Sequence, residues 1–326
     1  MKHHVLTRTF GVTLLTGLFA LNPLQSALAQ VESDDFNDGN DTGWQRYNPL
    51  SPFGLNATYT FPNGGYRLQT RYVTGQAVNP GRAGTTRPQV YSGNFYVSVD
   101  VVAWDHTLRQ SFGLLARVSS PGLQTTLGYA FTWDRGNTNS LTNGDVDISR
   151  IDNEAPFEVV VNGPDRLALT PGEKYRFVFI GRGPTLEGRV YQHPDLDTPL
   201  ITVSGTDATY ASGMNGMVVF DNTGGNGFTD TTFDNYFATD IEPPRLRIGV
   251  PDFGYRELSW PQEASMYALQ TSTVLPGTAT DWTDVPSLDV FEPTLENPRY
   301  RYNMAVESDV GGLPQQFFRL VRRPAQ

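Results

Sequence analysis

Acidic side chains crowd one short segment near the start of the chain. Four aspartates lie between residues 34 and 41, at Asp34, Asp35, Asp38 and Asp41. A hard cation such as Ca²⁺ requires oxygen ligands, and Asn37 and the backbone beside Gly39 could add to these carboxylates. Pairing of the first and last strands would bring in Asp234, so we predict a Ca²⁺ site at Asp35, Asp38 and Asp234. The alternative is an Asx-rich turn beside a solvated strand end, because the spacing is not that of an EF-hand.

A second acidic pattern is Asp145-Val146-Asp147-Ile148-Ser149. Glycoside hydrolysis needs two carboxylates that flank the scissile bond, and strand alternation would send residues 145, 147 and 149 to one face. The pattern is the nearest match in the chain to the Glu-x-Asp-x-Glu strand of laminarinase-type glycosidases. Its first acid is shortened and its last is a hydroxyl, so a solvated strand end is the better interpretation, and we predict no catalytic residue.

Other catalytic systems have less support. The chain has no cysteine, and after residue 29 its histidines are His106 and His193, neither with a partner at metal-ligand spacing. No Gly-x-Ser-x-Gly elbow is present. The glycines at 224–227 precede no helical pattern, so they indicate a loop and not a phosphate cradle.

Aromatic and polar side chains on strands could bind a saccharide, because a pyranose ring presents apolar C–H faces ringed by hydroxyls. Alternation places Asp100 and Trp104 on the outward face of one strand and Arg117 outward on the next. Arg189 and Tyr191 share another outward alternation, and Trp133 ends a strand near a polar loop, where it could line a rim. We predict a saccharide site of low specificity from six residues: Asp100, Trp104, Arg117, Trp133, Arg189 and Tyr191. For each residue alone, packing or surface decoration is the alternative.

The elements that must position these residues are strands. The 32 Gly, 23 Pro, 15 Tyr and 19 Phe are typical of many strands joined by tight turns, and no helical periodicity follows residue 29. Alternation predicts strands at 94–104, 111–118, 125–133, 157–161, 174–181, 187–192, 201–203, 216–221 and 231–238. Turn residues separate them at 121–122, 143–144, 162–164, 171–172 and 222–227.

A Pro-rich joint at 241–245 divides this pattern, because it cannot continue a central strand. We predict one β domain over residues 30–240 and a smaller module over 246–326. Short strands in the module are predicted at 256–260, 266–272, 281–285, 300–306 and 316–322. An immunoglobulin-like or fibronectin-like sandwich with Trp260 and Tyr267 in its core is the natural interpretation.

The first 29 residues are typical of a secretory signal peptide: a basic start, an apolar stretch and the ending Ala27-Leu28-Ala29. We therefore predict an exported protein, secreted or on the cell surface, with no transmembrane segment after cleavage. Export without cysteine indicates a bacterial system. The formal charge of −10 disfavours a nucleic-acid partner, because binding phosphate needs a basic surface.

Several segments carry a family resemblance: the Asp35-Phe36 opening, residues 147–154, 169–179 and 206–213, and the Phe-Asp-Asn triplets at 220–222 and 233–235. In these, residues 34–240 resemble the concanavalin A-like jelly-roll domains, of the laminin-G-like kind, of secreted planctomycete and verrucomicrobial proteins. The resemblance implies a jelly-roll sandwich that often binds carbohydrate. Residues 257–321 resemble a small β-sandwich common at the ends of such proteins, which implies a spacer or attachment module.

The sequence therefore predicts an all-β protein, a jelly-roll sandwich followed by a small sandwich module. Its predicted function is non-enzymatic binding of an extracellular glycan or cell-surface component, with Ca²⁺ as the candidate cofactor. Two alternatives stay open: a structural or adhesive protein without a saccharide site, and a divergent glycoside hydrolase.

Overall fold

A computed structural model describes residues 31–71, 81–135, 143–161, 166–221, 228–249, 255–261, 267–273, 282–286, 289–291, 293–294, 299–305 and 317–322. The predicted signal peptide and the predicted turns at 162–164 and 222–227 lie outside these residues. The described part includes two short 3₁₀ turns, Ser51–Phe53 and Pro62–Gly64. No helix there is long and apolar enough to cross a membrane.

The first sheet is antiparallel throughout. Its strands are β1 (Val31–Asp34), β3 (Thr58–Thr60), β4 (Tyr66–Thr70), β6 (Asn94–Trp104), β12 (Tyr175–Arg182), β13 (Thr185–Gln192), β14 (Ile201–Thr206) and β16 (Thr229–Thr239). They lie in the order β14-β13-β12-β6-β16-β4-β3, and β1 also pairs with β16. Strand β1 runs from Val31 opposite Thr239 to Asp34 opposite Tyr236. The predicted pairing of the first and last strands is therefore confirmed.

The second sheet faces the first. Its strands are β2 (Gln45–Tyr47), β5 (Arg82–Ser92), β7 (Gln110–Ser119), β8 (Leu127–Asp134), β9 (Asn143–Asp152), β10 (Ala155–Val161), β11 (Leu167–Ala168) and β15 (Ser212–Asp221). They lie in the order β10-β9-β8-β7-β15-β5-β2, and β11 also pairs with β9. The turn predicted at 143–144 is wrong, because these residues begin β9 and pair with β11.

One core joins the two sheets. Val97, Val99 and Val101 of β6 are fully buried, as are Phe131 of β8 and Phe177 of β12. The rings of Phe131 and Phe177 lie 5.8 Å apart, so side chains of the two sheets contact each other directly. Burying each large side chain contributes about 1.5–3 kcal/mol. Two antiparallel sheets on one core, with the terminal strands paired, confirm the predicted all-β jelly-roll sandwich.

A β-bulge at Val102 reverses the predicted orientation of Trp104. Opposite β16, Ala103 pairs with Thr232 but Val101 pairs with Phe233, so Val102 is the extra residue. Beyond the bulge, each side chain of β6 points to the face opposite to the one that alternation predicts. Trp104 turns inward, 5.9 Å from the ring of Phe112, and Ala103 is exposed. The outward orientation predicted for Trp104 is therefore wrong.

A second bulge turns Arg117 inward. The pairing of β7 with β8 shifts between Ala116 and Ser119, and Arg117 has a φ of +50°. Its guanidinium donates to the carbonyls of Gly93 (2.5 Å), Gly183 (2.6 Å) and Tyr210 (2.9 Å). The side chain is 1% exposed, and burial lowers its pKa. The outward prediction for Arg117 is wrong, and the residue ties together turns of both sheets.

The C-terminal part contains two small antiparallel sheets. One has β17 (Arg247–Ile248), β18 (Tyr255–Pro261), β21 (Val290–Phe291) and β22 (Arg299–Ala305); the other has β19 (Tyr267–Ser272), β20 (Thr283–Asp284) and β23 (Phe317–Arg322). Leu258 and Trp260 of the first pack with Leu269 of the second, and Tyr267 lies against them. This confirms a small β-sandwich with Trp260 in its core. The predicted domain bounds stay a prediction.

Candidate functional site

Two hollows lie on the solvent-facing side of the first sheet. The aromatic hollow, of about 530 Å³, is lined by Tyr96, Ser98, Arg176, Val178, Arg189, Tyr191, Leu196, Asp197, Asn235, Phe237 and residues 242–246. The tryptophan hollow, of about 590 Å³, is lined by Pro62, Asn63, Gly65, Arg67, residues 102–105, Lys174, Asp230, Thr232 and Asp234. Both have the size of small-molecule binding sites, roughly 300–1,000 Å³.

Asp100 stands between the two hollows on β6. Arg176, its register partner on β12, contacts both carboxylate oxygens, at 2.7 and 2.8 Å. The Asn235 amide donates to it at 3.0 Å, and His193 Nε2 lies 3.0 Å away. Burial opposes ionisation of Asp100, but the contacts with Arg176 and His193 outweigh it and lower the pKa of this carboxyl. The carboxylate therefore fixes three side chains in place.

Tyr96 and Phe237 form the floor of the aromatic hollow. Their rings pack edge to face, 6.1 Å apart. Tyr191 is buried beside them, and the guanidinium of Arg245 lies 5.3 Å from the centre of its ring. An edge-to-face pair leaves one ring face open for contact, a geometry that suits the C–H face of a sugar.

The segment at 242–246 borders the aromatic hollow and is held to the sheet by ion pairs. Glu242 accepts hydrogen bonds from Arg189 (2.6 Å) and Arg182 (2.5 Å), and Arg245 contacts Asp197 at 2.7 Å. Burial opposes the charge of Arg189, but Glu242 and Glu187 raise its pKa above the usual range. The predicted linker therefore forms one wall of this hollow.

The tryptophan hollow has an aromatic edge and a lysine. Trp104 lines it although most of its ring packs inward, and its buried Nε1 has no hydrogen-bond partner among the described residues. Lys174 is exposed, and it is the single lysine in the sequence after residue 29. Arg67 is paired with Asp230, with its Nε 2.7 Å from the carboxylate. The hollow therefore combines an apolar surface with donors and acceptors.

The structure brings together part of the predicted saccharide site. Asp100, Arg189 and Tyr191 lie at the aromatic hollow or directly behind it, and Trp104 borders the other hollow. Arg117 and Trp133 do not join them. Trp133 is 1% exposed, and its Nε1 donates to the Leu167 carbonyl at 3.0 Å, so the predicted rim position is wrong.

The side chains that contact the Asp100 carboxylate are not among the predicted site residues: Arg176, His193 and Asn235. Arg176 follows the same alternation that placed Asp100 outward, so its orientation was accessible from the sequence. His193 and Asn235 were not, because the first follows the end of β13 and the second lies at an irregularity of β16 with a φ of +50°.

The residues of the predicted Ca²⁺ site act in local turns. Asp35 accepts the backbone N–H of Asn37 at 3.2 Å, and Asp38 accepts that of Asn40 at 3.2 Å. Asp234 accepts the N–H of Asn235 at 2.7 Å. Burial raises the pKa of Asp234, and the charges of Asp100 and Asp35 add to this effect. No group of three ligating side chains poised for a metal occurs in the described ranges. The Asx-turn alternative describes this geometry, and Ca²⁺ binding stays a prediction.

The Asp145–Ser149 pattern lies in the middle of β9, not at a strand end. Val146 and Ile148 point into the core, so Asp145, Asp147 and Ser149 point to the solvent side of the second sheet. Asp147 and Ser149 line a separate cleft there. The predicted strand-end location is therefore wrong, although the predicted alternation is right.

No family model and no curated protein matches the chain. Some solved structures resemble it. One is carbohydrate-binding module CBM66 from Bacillus subtilis, with 17% identity over 60% of this chain and 95% of that one, and a TM-score of 0.41. Lectin II from Ulex europaeus has 12% identity, coverages of 65% and 99%, and a TM-score of 0.41. The CBM2 module of the evolved Dit of Lactobacillus casei BL23 phage J-1 has 16% identity over 66% of this chain and 99% of that one, and a TM-score of 0.44. Similarity at this level says nothing about what this chain binds.

Proposed function

We propose that the protein binds glycan chains along the solvent-facing side of the first sheet, without catalysing their cleavage. The observation that carries the proposal is the fixed network of Asp100 with Arg176 and Asn235, which lies between a hollow with an aromatic floor and a hollow bordered by the edge of Trp104. A chain of sugar units could lie across both hollows at once.

The chemistry of each part suits a sugar. The ring faces of Tyr96 and Phe237 offer an apolar surface for pyranose C–H groups. Arg176 and Asn235 line the same hollow and could donate to hydroxyls, and Ser98 adds a hydroxyl. Because the Asp100 carboxylate already orients Arg176 and Asn235, little side-chain entropy remains to be lost on binding. The ligand in this proposal is an extracellular glycan or cell-surface component.

The proposal also covers where the protein acts and what its C-terminal part does. A protein exported with a cleaved signal at 1–29 would meet such glycans outside the cell. The C-terminal sandwich would act as a spacer or attachment module, as in the secreted planctomycete and verrucomicrobial proteins that the sequence resembles. Any Ca²⁺ at Asp35, Asp38 and Asp234 would lie beside Asn235 and could stabilise this end of the face.

A binding screen tests the proposal. Residues 30–326 are applied to a glycan array and to a panel of soluble polysaccharides, with and without Ca²⁺, and binding is measured. Binding that Arg176→Ala weakens at least tenfold supports it. Arg46→Ala is the matched control, because Arg46 forms an exposed ion pair with Asp41 outside both hollows. Absence of glycan binding in both conditions, with binding to cells, matrix or itself, would favour the adhesive alternative instead.

A further inference from the structure

The arginines that line the aromatic hollow are bound to carboxylates of the protein itself. Arg176 contacts both oxygens of Asp100, at 2.7 and 2.8 Å. Arg189 donates to Glu242 at 2.6 Å and also forms an ion pair with Glu187. Both guanidinium charges are therefore offset inside the protein before any ligand arrives.

The remaining arginine of this lining lies at the exposed side of the hollow. Arg245 contacts Asp197 at 2.7 Å. Asp197 has an 89% exposed side chain, so the pair is worth little in water, but it still places a carboxylate beside the cation. Arg182, just outside the lining, shares Glu242 with Arg189. The ion pairs around the aromatic hollow therefore balance in charge.

The tryptophan hollow has more carboxylates than cations. Its lining contains Asp105, Asp230 and Asp234 against Arg67 and Lys174. Arg67 is bound to Asp230, with its Nε 2.7 Å from the carboxylate. Lys174 is exposed and is the cation that an anionic ligand could reach, but the carboxylates of the same lining would repel that ligand. Neither hollow therefore presents a net positive charge.

This charge balance treats an acidic sugar and a neutral sugar differently. A carboxylate or sulfate in the aromatic hollow would lose water, find its counterions already bound, and approach the oxygens of Asp100 and Glu242. A neutral hydroxyl would meet no such penalty. A guanidinium has five N–H donors, and Arg176 uses its Nε and one terminal nitrogen on Asp100. Its other terminal nitrogen can therefore donate to a hydroxyl.

We propose that the glycan face of the first sheet selects uncharged saccharide units and rejects glycans that carry sulfate or carboxylate groups. This inference rests on the proposed function, because it names the class of glycan for the same face. The formal charge of −10 acts in the same direction at longer range. Part of the specificity thus comes from repulsion of the wrong ligand, not only from contacts with the right one.

Matched polysaccharide derivatives test this selectivity. Each neutral polysaccharide that binds in the screen is compared with its sulfated, carboxymethylated and hydroxyethylated derivatives at equal substitution. The hydroxyethyl derivative is uncharged and controls for added bulk. We expect it to bind at least about tenfold more tightly than either charged derivative. Its affinity should change less than about twofold between about 0.05 and 0.5 M NaCl, because no net charge is neutralised on binding.

Freeing an arginine should weaken this rejection. Glu242→Gln leaves Arg182 and Arg189 with Glu187 as their shared acid. Dextran sulfate should therefore bind this variant about fivefold more tightly than the unmutated protein, and added salt should remove the gain. Asp197→Asn frees the arginine at the exposed side of the hollow, so it should act in the same direction.

Asp41→Asn is the matched control, because it removes one negative charge and frees Arg46 outside both hollows. It should leave dextran sulfate binding unchanged. A gain in Glu242→Gln and Asp197→Asn no larger than in this control would overturn the inference. If neutral polysaccharides bind but the charged derivatives bind as tightly as the hydroxyethyl one, this inference alone fails. If no neutral polysaccharide binds, the proposed function fails as well.

Discussion

Arg176 and Asp100 lie opposite each other on neighbouring antiparallel strands and form a two-point ion pair that is buried on the carboxylate side. Asp100 is 2% exposed, whereas the Arg176 side chain keeps 29% of its surface. Such a pair is costly to break from one side, because the buried carboxylate would keep only His193 and Asn235 as partners. The pair therefore links the stability of the first sheet to the proposed glycan face.

Replacement of Arg176 should therefore destabilise the protein. We expect Arg176→Ala to lower the free energy of unfolding by about 3–5 kcal/mol, measured by urea titration at pH 7. Arg46→Ala removes an exposed ion pair with Asp41 and should cost under about 1 kcal/mol. Equal effects of the two variants would show that the Asp100 pair has no special role.

The aromatic hollow offers a test that spares the ion pairs. Phe237→Ala should weaken the binding of any glycan found in the screen about tenfold, because it removes one half of the ring pair with Tyr96. Phe157→Ala is the matched control, because Phe157 is 48% exposed on β10 of the other sheet. Affinity measured by calorimetry that falls equally in both variants would place the glycan elsewhere.

The predicted Ca²⁺ site has a direct thermal test. If the ion binds, chelation should lower the melting temperature by several degrees, and Asp35→Ala should reproduce the shift and abolish the effect of the chelator. Asp195→Ala removes a comparable turn carboxylate and should keep the response to chelator. An unchanged melting temperature under chelation would leave Asp35 as a turn residue and remove the metal.

The glycosidase alternative predicts turnover, and its loss on replacing Asp145 or Asp147. We expect no release of reducing sugar from any polysaccharide that binds, because Ser149 occupies the position of the last acid in the catalytic pattern. Turnover by the unmutated protein that is lost in the Asp147→Asn variant would instead place the function in the cleft of the second sheet.

The sequence predicts the fold well wherever alternation is regular. The inward residues Phe95 to Val101 follow a period of two, and the pairing of the terminal strands followed from their acidic and Asp-Asn segments. The pattern fails at Val102 and at Arg117, because a bulge adds one residue and reverses every side chain beyond it. Nothing in the local sequence marks either position.

The sequence predicts only part of the candidate site, for a different reason. Alternation could place Asp100 and Arg189 on the outward face. It could not show that Arg176, 76 residues later in the chain, would lie opposite Asp100. Strand order sets this contact, and one sequence carries little information on the order of distant strands. The strand end predicted at 145–149 is wrong because β9 runs from Asn143 to Asp152.

Asp147 makes a stability prediction that needs no ligand. Burial and then the charge of Asp134 raise its pKa in the folded protein to about 7, above the value of about 3.9 for an unfolded aspartate. The folded state therefore binds a proton more tightly than the unfolded state, and stability should fall as pH rises from about 4 through 7.

Asp147→Asn removes this titration, so it should stabilise the protein by roughly 2–4 kcal/mol at pH 8 and much less at pH 4. Urea unfolding at both pH values measures the difference, with Asp195→Asn as control. A variant that gains equally at pH 4 and pH 8 would show that Asp147 titrates normally, and the cleft would then hold an ordinary solvated carboxylate.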